Sequence, residues 1–323
     1  SEMCIRDRTM NIGGTHAIGG KFEVEALSVV VSQFAAIDAQ NIEDVNKNTD
    51  RVIADMERAA YAFPGYDLFV AQECCFQGFS RVIKQAVIDI DGPQIRRVQE
   101  KCAELGVWAV INPFLNEVDG KPICNTVLMI NSNGEIVHKY VKMNLWIPGE
   151  TAYPGWTVPV TEGPKGSRIA TIDCADGDYP EIWREAAYNG ANVIIRVAHY
   201  PAPWDQAWKL TNRAAAYFNQ SYVVGCNSVG SDCFFSYFGN SMVVNPDGNI
   251  ITEAPLGQEW LFKADLYPQI IDKLREKGST NNFLYSFNHR GASNPELGGF
   301  GDTVCRYRAY SPESWGERKA EDA

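Results

Sequence analysis

Short apolar runs alternate with longer amphipathic stretches along the first part of the chain. Three runs predict buried strands, at residues 26–34, 67–71 and 107–114. Between them, residues 42–63 and 93–105 repeat apolar positions every three or four residues, which predicts helices with one buried face. A strand–helix alternation of this kind is typical of an α/β protein with a mixed sheet.

The second part of the chain repeats this order, and each part is followed by a predicted hairpin. The repetition predicts one pseudo-symmetric domain. We expect a leader over residues 1–21, partly ahead of a native start at Met10, a single domain over 22–288 and a C-terminal arm over 289–323. The second part has predicted strands at 168–173, 191–197 and 222–227, helices at 180–190 and 204–219, and the two hairpins cover 126–140 and 241–252.

The composition indicates an ordinary globular chain with an acidic surface. Hydrophobic residues make up 45% of the 323 residues, so a sizeable buried core is expected. The formal net charge of −11 would repel a phosphate backbone, which argues against a nucleic-acid partner. No apolar run approaches the ~20 residues of a membrane span, so no membrane partner is expected. Nine cysteines without any Cys-x-x-Cys spacing favour a reducing, cytoplasmic location.

Three polar residues follow predicted strands and could carry chemistry. Glu73 follows an apolar run, so partial burial would raise the pKa of its carboxyl group, and it could act as a general base. Lys142 could stabilise an oxyanion, and its charge would favour the thiolate of Cys174 at a strand-to-turn elbow. Taken singly, each residue has a simpler explanation, as a rim ion pair, a solvated lysine and a core thiol.

The order and surroundings of these residues resemble those of the nitrilase superfamily, whose members use a Glu–Lys–Cys triad in this chain order. The matching stretches are residues 72–78, 139–142 and 174–184. Residues 174–184 and the loop 146–155, which contains a second glutamate, Glu150, are similar to the aliphatic amidase and formamidase branch. The resemblance extends over roughly residues 22 to 310. It identifies residues 22–288 as a carbon–nitrogen hydrolase domain.

The resemblance implies an α-β-β-α sandwich and a homo-oligomer, either a dimer or a hexamer. We expect the four layers to form when two subunits pair. It also implies hydrolysis of formamide or a short-chain aliphatic amide to a carboxylic acid and ammonia through a cysteine thioester. No metal or organic cofactor is needed for this reaction, and the four histidines are isolated in sequence without a metal-ligand spacing.

The same resemblance assigns the roles of the site residues. Cys174 attacks the amide carbonyl, and Lys142 with the backbone N–H of Ala175 stabilises the oxyanion. Glu73 takes the thiol proton, passes it to the leaving ammonia and then activates water. Glu150 orients the substrate.

The substrate pocket departs from the pattern of the branch at several positions. Cys74 stands where the branch has a tyrosine that lines the pocket, so we expect a wider pocket. Ala175 replaces a polar residue, and His199 replaces a glycine. We expect substrate contacts from these three residues and from Trp146 and Tyr200.

Two alternatives remain open from the sequence. One is a nitrilase or N-carbamoyl hydrolase, which would act on a different carbon–nitrogen bond. The other is a non-catalytic oligomeric binding scaffold with the same fold.

Overall fold

The computed structural model describes residues 24–146, 149–232 and 235–272. Residues 1–21 and 289–323, which were predicted as leader and arm, lie outside the described residues. No helix of the described part has both the length and the apolar character that crossing a membrane requires.

The first β-sheet has seven strands within the described residues, in the order β15-β1-β2-β3-β5-β4, and β6 pairs with β5. Its centre is parallel, because β1, β2 and β3 are joined by helical crossovers. The strands are β1 (Leu27–Gln33), β2 (Leu68–Ala71), β3 (Trp108–Ile111), β4 (Phe114–Val118), β5 (Lys121–Ile130), β6 (Ile136–Val141) and β15 (Trp260–Leu266).

The second sheet has six strands in the described part of the chain, in the order β14-β13-β10-β9-β8-β7. Strands β8, β9 and β10 are parallel, as are β1, β2 and β3 of the first sheet. The predicted pseudo-symmetry is therefore present in the strand order. The strands are β7 (Val160–Glu162), β8 (Arg168–Asp173), β9 (Val193–Ala198), β10 (Tyr222–Asn227), β13 (Met242–Val244) and β14 (Ile250–Glu253), with β11 (Val229–Ser231) and β12 (Ser236–Phe238) forming a separate ribbon.

The longer helices begin and end at residues suited to those positions. The side chain of Asn41 accepts hydrogen bonds from two backbone N–H groups in the first turn of α1. Helix α3 begins at a proline and is followed by Gly106, which adopts the left-handed conformation at φ +67°. The helices are α1 (Ile42–Ala62), α2 (Ile83–Ala86), α3 (Pro93–Leu105), α4 (Pro180–Tyr188) and α5 (Asp205–Asn219), with 3-10 turns at Pro164–Gly166 and Cys174–Asp178.

Alternate side chains of the first sheet face different layers. Val29 and Val31 belong to a cluster shared with the second sheet, whereas Val30 packs in the cluster beneath α1 and α3. Cys226 of β10 also donates its thiol to the carbonyl of Ser32 in β1 at 3.3 Å, so the two sheets are in direct contact. All four layers of the α-β-β-α sandwich thus lie within one chain. The expectation that two subunits must pair to form them is wrong, because the second half of the chain supplies the second sheet.

His138 joins the two sheets through its ring. It lies on β6, and its Nδ1 and Nε2 atoms are 2.8 and 2.9 Å from the hydroxyls of Thr161 on β7 and Thr171 on β8. Burial lowers the pKa of His138 from 6.5 to about 4, so the ring is neutral at pH 7. A neutral imidazole has one donor and one acceptor nitrogen, which suits two hydroxyl partners.

Replacing His138 should weaken the acid sensitivity of the fold. The pKa of the folded ring lies below its unfolded value, so the unfolded chain binds more protons between pH 6.5 and 4. The wild type should lose up to about 3 kcal/mol of stability through this group as pH falls across that range. His138→Asn should be less stable than the wild type at pH 7.5, but its free energy of unfolding should fall correspondingly less on acidification.

Urea unfolding at pH 7.5 and 4.5 measures this difference. Thr161→Val serves as a control, since it removes one hydrogen bond but keeps the buried ring and hence the acid sensitivity. Equal pH dependence in the wild type and His138→Asn would contradict the assignment.

Candidate active site

The ends of three strands and one loop place four titratable side chains around a single cavity of about 210 Å³. Glu73 follows β2, Lys142 follows β6, Cys174 follows β8, and Glu150 comes from the loop between β6 and β7. The full lining is Glu73, Phe79, Lys142, Trp146, Glu150, Cys174, Ala175, Asp178, His199, Tyr200, Pro201, Trp204, Phe235 and Tyr237.

Lys142 lies between two carboxylates. Its Nζ atom is 2.7 Å from Glu73 Oε1 and 2.6 Å from Glu150 Oε2, and all three side chains are at least 96% buried. Asn125 links the same two carboxylates, because its Nδ2 atom donates to Glu73 Oε1 at 2.9 Å and to Glu150 Oε1 at 2.8 Å. The backbone N–H of Trp146 donates to Glu150 Oε2 at 2.7 Å. Each carboxylate therefore has a cation and hydrogen-bond donors.

These contacts keep Glu73 ionised. Burial by itself would raise its pKa, but the charge of Lys142 and hydrogen bonds from Asp173, Lys142 and Cys174 together hold the pKa of Glu73 below its ordinary value. Its second oxygen, Oε2, accepts the backbone N–H of His199 at 2.7 Å. The expectation of a raised pKa for Glu73 is wrong, because the charge of Lys142 and the hydrogen-bond donors outweigh the effect of burial. Glu73 is a carboxylate that can accept a proton.

Cys174 begins the 3-10 turn after β8 with a left-handed backbone, at φ +48°. This conformation is strained for a residue with a side chain. The carbonyl oxygen of Cys174 accepts hydrogen bonds from Arg196 Nε at 2.9 Å and Nη2 at 2.6 Å, which fixes the strained residue. Strain held by neighbouring groups is a common feature of nucleophile turns.

The Cys174 thiol is protonated at rest. Burial and the charge of Glu73 raise its pKa well above the ordinary value of 9, and the opposing charges of Lys142 and Arg196 do not offset this. The expectation that the neighbouring cation yields a thiolate is therefore wrong, because burial and the charge of Glu73 together outweigh the charge of Lys142. A reaction at this sulfur needs a base, and the Glu73 carboxylate lines the same cavity.

Arg196 supports this arrangement and was missed by the sequence analysis. It is fully buried, and its guanidinium carbon lies 4.8 Å from the Trp208 ring centroid and 5.0 Å from that of Tyr200. A Cβ atom on Gly177 would come within 2.1 Å of Arg196 Nε, so only glycine fits there. The available signal was a charged residue inside the apolar strand Val193–Ala198.

His199 contributes a neutral wall to the cavity. Its ring centroid lies 3.8 Å from that of Tyr237 and 6.2 Å from that of Phe79. Burial lowers the pKa of His199 to about 4, more than the nearby charge of Glu73 raises it. The imidazole is thus uncharged at pH 7 and extends the aromatic lining.

The structure brings together all the predicted site residues except one. Cys74 is absent from the lining; it is buried, and its backbone N–H donates to Asn112 Oδ1 at 2.7 Å. The cavity lining therefore gives no support to a substrate contact at Cys74, and the wider pocket stays a prediction. Aromatic side chains that the sequence analysis did not single out form much of the wall, namely Phe79, Trp204, Phe235 and Tyr237.

Removing the cation should leave two buried carboxylates without compensation. Lys142→Met should therefore reduce the free energy of unfolding at pH 7 by about 3–5 kcal/mol. Replacing Glu73 and Glu150 by glutamine in the same chain should restore most of that loss, since no buried charge then lacks a partner.

Urea unfolding of the single and triple variants checks this prediction. A triple variant as unstable as Lys142→Met would show that the loss comes from packing rather than from unpaired charge.

Comparison with known proteins agrees with this geometry. The family model for carbon-nitrogen hydrolase matches residues 33–276. A formamidase of Photorhabdus laumondii is 35% identical over 272 residues, which cover 83% of this chain and 80% of the relative. A formamidase of Bacillus cereus strain B4264 is 33% identical over 252 residues, covering 77% of this chain and 76% of the relative.

Solved structures share the fold at lower identity. XC1258 from Xanthomonas campestris, a CN-hydrolase superfamily protein, matches with a TM-score of 0.70 and 24% identity over 79% of this chain and 96% of its own. Saccharomyces cerevisiae Nit3, a nitrilase superfamily member, matches with a TM-score of 0.69 and 23% identity, covering 82% of this chain and 98% of its own. An amidase from Nesterenkonia sp. matches with a TM-score of 0.67 and 22% identity, covering 81% of this chain and 98% of its own. The chain described here belongs to the carbon–nitrogen hydrolase family.

Proposed function

We propose that this chain hydrolyses a small aliphatic amide, such as formamide or a short-chain homologue, to a carboxylic acid and ammonia. The observation that carries the proposal is the cavity in which the Cys174 thiol lies beside the ionised Glu73 and the Lys142 ammonium. The formamidases among the relatives support the same reaction. Glu73, Lys142 and Cys174 form the triad, and Glu150 assists them.

The first half-reaction acylates the enzyme. Glu73 takes the proton of the Cys174 thiol as the sulfur attacks the amide carbonyl carbon, and a tetrahedral oxyanion forms. Lys142 and the backbone N–H of Ala175 stabilise that oxygen, an effect typically worth about 3 kcal/mol of the barrier. Glu73 then gives its proton to the amide nitrogen, the carbon–nitrogen bond breaks, and ammonia leaves a thioester on Cys174.

The second half-reaction releases the acid. Glu73 takes a proton from water while the water oxygen attacks the thioester carbonyl, and the carbon–sulfur bond then breaks. The sulfur recovers its proton from Glu73, which restores the resting thiol and carboxylate. Glu150 holds Lys142 and Asn125 in place and positions the amide nitrogen or the attacking water.

The lining of the cavity favours an uncharged substrate. Its outer wall consists of aromatic side chains and the neutral ring of His199, which suit an apolar acyl group. Two of the carboxylates, Glu150 and Asp178, would repel an anionic substrate. Trp146, Ala175, His199 and Tyr200 are the proposed substrate contacts.

A homo-oligomer and a cytoplasmic location are part of the proposal. The exposed face of α5 presents Leu210, Tyr217 and Phe218 at helical spacing, an apolar surface that another copy of the chain could cover. The six cysteines in the described part of the chain are free thiols, as a reducing compartment would keep them.

Replacing Cys174 should abolish ammonia release. Cys174→Ala should lower kcat/KM for the best amide by at least about 10³-fold, because the nucleophile is removed. Cys102→Ala, in helix α3 and outside the cavity, is the matched control and should stay within about threefold of the wild type. The assay measures ammonia from formamide, acetamide, propionamide and butyramide, with a nitrile and an N-carbamoyl amino acid alongside.

Absence of ammonia from every simple amide would overturn the proposal, and turnover of only the nitrile or the carbamoyl compound would redirect it to that bond. Hydroxylamine added to the reaction should divert the acyl group to a hydroxamate, since it competes with water for the thioester.

A further inference from the structure

Asp173 is the last residue of β8 and directly precedes Cys174, yet the mechanism gives it no role. Its side chain is fully buried, and Oδ2 accepts a hydrogen bond from Asn112 Nδ2 at 3.1 Å. No hydrogen-bond partner for the other oxygen, Oδ1, is present among the described residues. A buried carboxylate oxygen without a donor is costly, whereas a carboxylic acid carries its own proton to that position.

The neighbour that can accept this proton is Glu73. The Glu73 and Asp173 carboxyl groups are close enough to affect each other's pKa as hydrogen-bonding neighbours, and two ionised carboxylates have no hydrogen to share, so one of them holds a proton. Glu73 receives donors on both oxygens, from Lys142 and Asn125 on Oε1 and from the His199 backbone on Oε2. The Asp173 side chain receives Asn112 Nδ2 and, in the capping box of the following 3-10 turn, the backbone N–H of Asp176, but Oδ1 receives neither. The shared proton therefore belongs on Asp173.

The surrounding charges agree with this geometry. Burial and the charge of Glu73 raise the pKa of Asp173 well above its ordinary value, and the opposing charge of Lys142 does not offset them. The titratable groups that face Asp173 are Glu73, Cys74, Tyr140, Lys142, Glu150 and Cys174.

We propose that Asp173 is a neutral carboxylic acid in the resting site and donates its proton in a hydrogen bond to the Glu73 carboxylate. This inference rests on the proposed function, in which Glu73 is the general base. Asp173 is then a positioning residue that holds Glu73 beside the Cys174 thiol. Because its hydrogen bond favours the ionised form of Glu73, it also makes protonated Glu73 a better proton donor to the leaving ammonia.

Infrared difference spectroscopy at pH 7 on the full chain, with and without ¹³C-labelled aspartate, detects whether the Asp173 carboxyl group is protonated. The wild-type minus Asp173→Asn spectrum should contain the carbonyl stretch of a protonated carboxylic acid, shifted by the label. Asp55→Asn is the matched control, because Asp55 is buried but paired with Arg51 and Arg58 and should contribute only carboxylate bands. If the wild-type minus Asp173→Asn difference spectrum contains only carboxylate bands, the proposal is overturned, whatever the activity of the enzyme.

Kinetics separate the positioning role from a packing role. Asp173→Asn keeps an N–H donor toward Glu73 and should retain kcat within about threefold. Asp173→Ala should lower kcat roughly 10- to 100-fold with little change in KM, and should move the acid limb of kcat/KM to higher pH, since Glu73 loses a donor.

An acid limb that does not move in Asp173→Ala, or an equal loss of kcat in both variants, would contradict the proposal. If the wild type hydrolyses no amide, the proposed function fails, and the infrared result still decides the protonation of Asp173.

Discussion

The buried ammonium of Lys142 is the interaction on which the site depends. It contacts Glu73 and Glu150 at 2.7 and 2.6 Å in a buried region, where each of the three side chains is at most 4% exposed. A charge in such a region is stable only when it is paired and hydrogen-bonded, so the three side chains fix one another. Asn125 reinforces this by donating to both carboxylates. The ionised state of Glu73 follows from this pairing, and with it the capacity to accept a proton.

The backbone supplies the second requirement, a sulfur that is held beside the carboxylate. Cys174 has a left-handed backbone, and its carbonyl oxygen accepts two hydrogen bonds from the fully buried Arg196. Gly177 leaves room for that guanidinium. The thiol keeps its proton at rest because burial and Glu73 raise its pKa. Nucleophile and base are thus assembled in advance, and the sulfur becomes reactive only when Glu73 removes the proton.

The periodic pattern predicted most strands and helices, and the resemblance to the nitrilase superfamily implied that Glu73, Lys142 and Cys174 share one site. What could not be predicted depends on distances across the fold. The signs of the pKa shifts of Glu73 and Cys174 follow from contacts between segments that are far apart in sequence. Arg196 stands out as a charge inside an apolar strand, but its hydrogen bonds to the Cys174 carbonyl cannot be read from the sequence. The left-handed backbone of Cys74, at φ +54°, has no local sequence signal either. The packing of both sheets within one chain likewise has no local signature.

The central claim is that Glu73 is the base that activates Cys174, and the rate of acylation tests it most directly. Quenched-flow mass spectrometry of acyl-Cys174, formed from the best amide at pH 7, measures that rate. Glu73→Gln should slow acylation by about 10²- to 10⁴-fold, whereas Glu117→Gln, an exposed change on β4, should leave it unaltered. Acylation of Glu73→Gln at the wild-type rate would contradict the account.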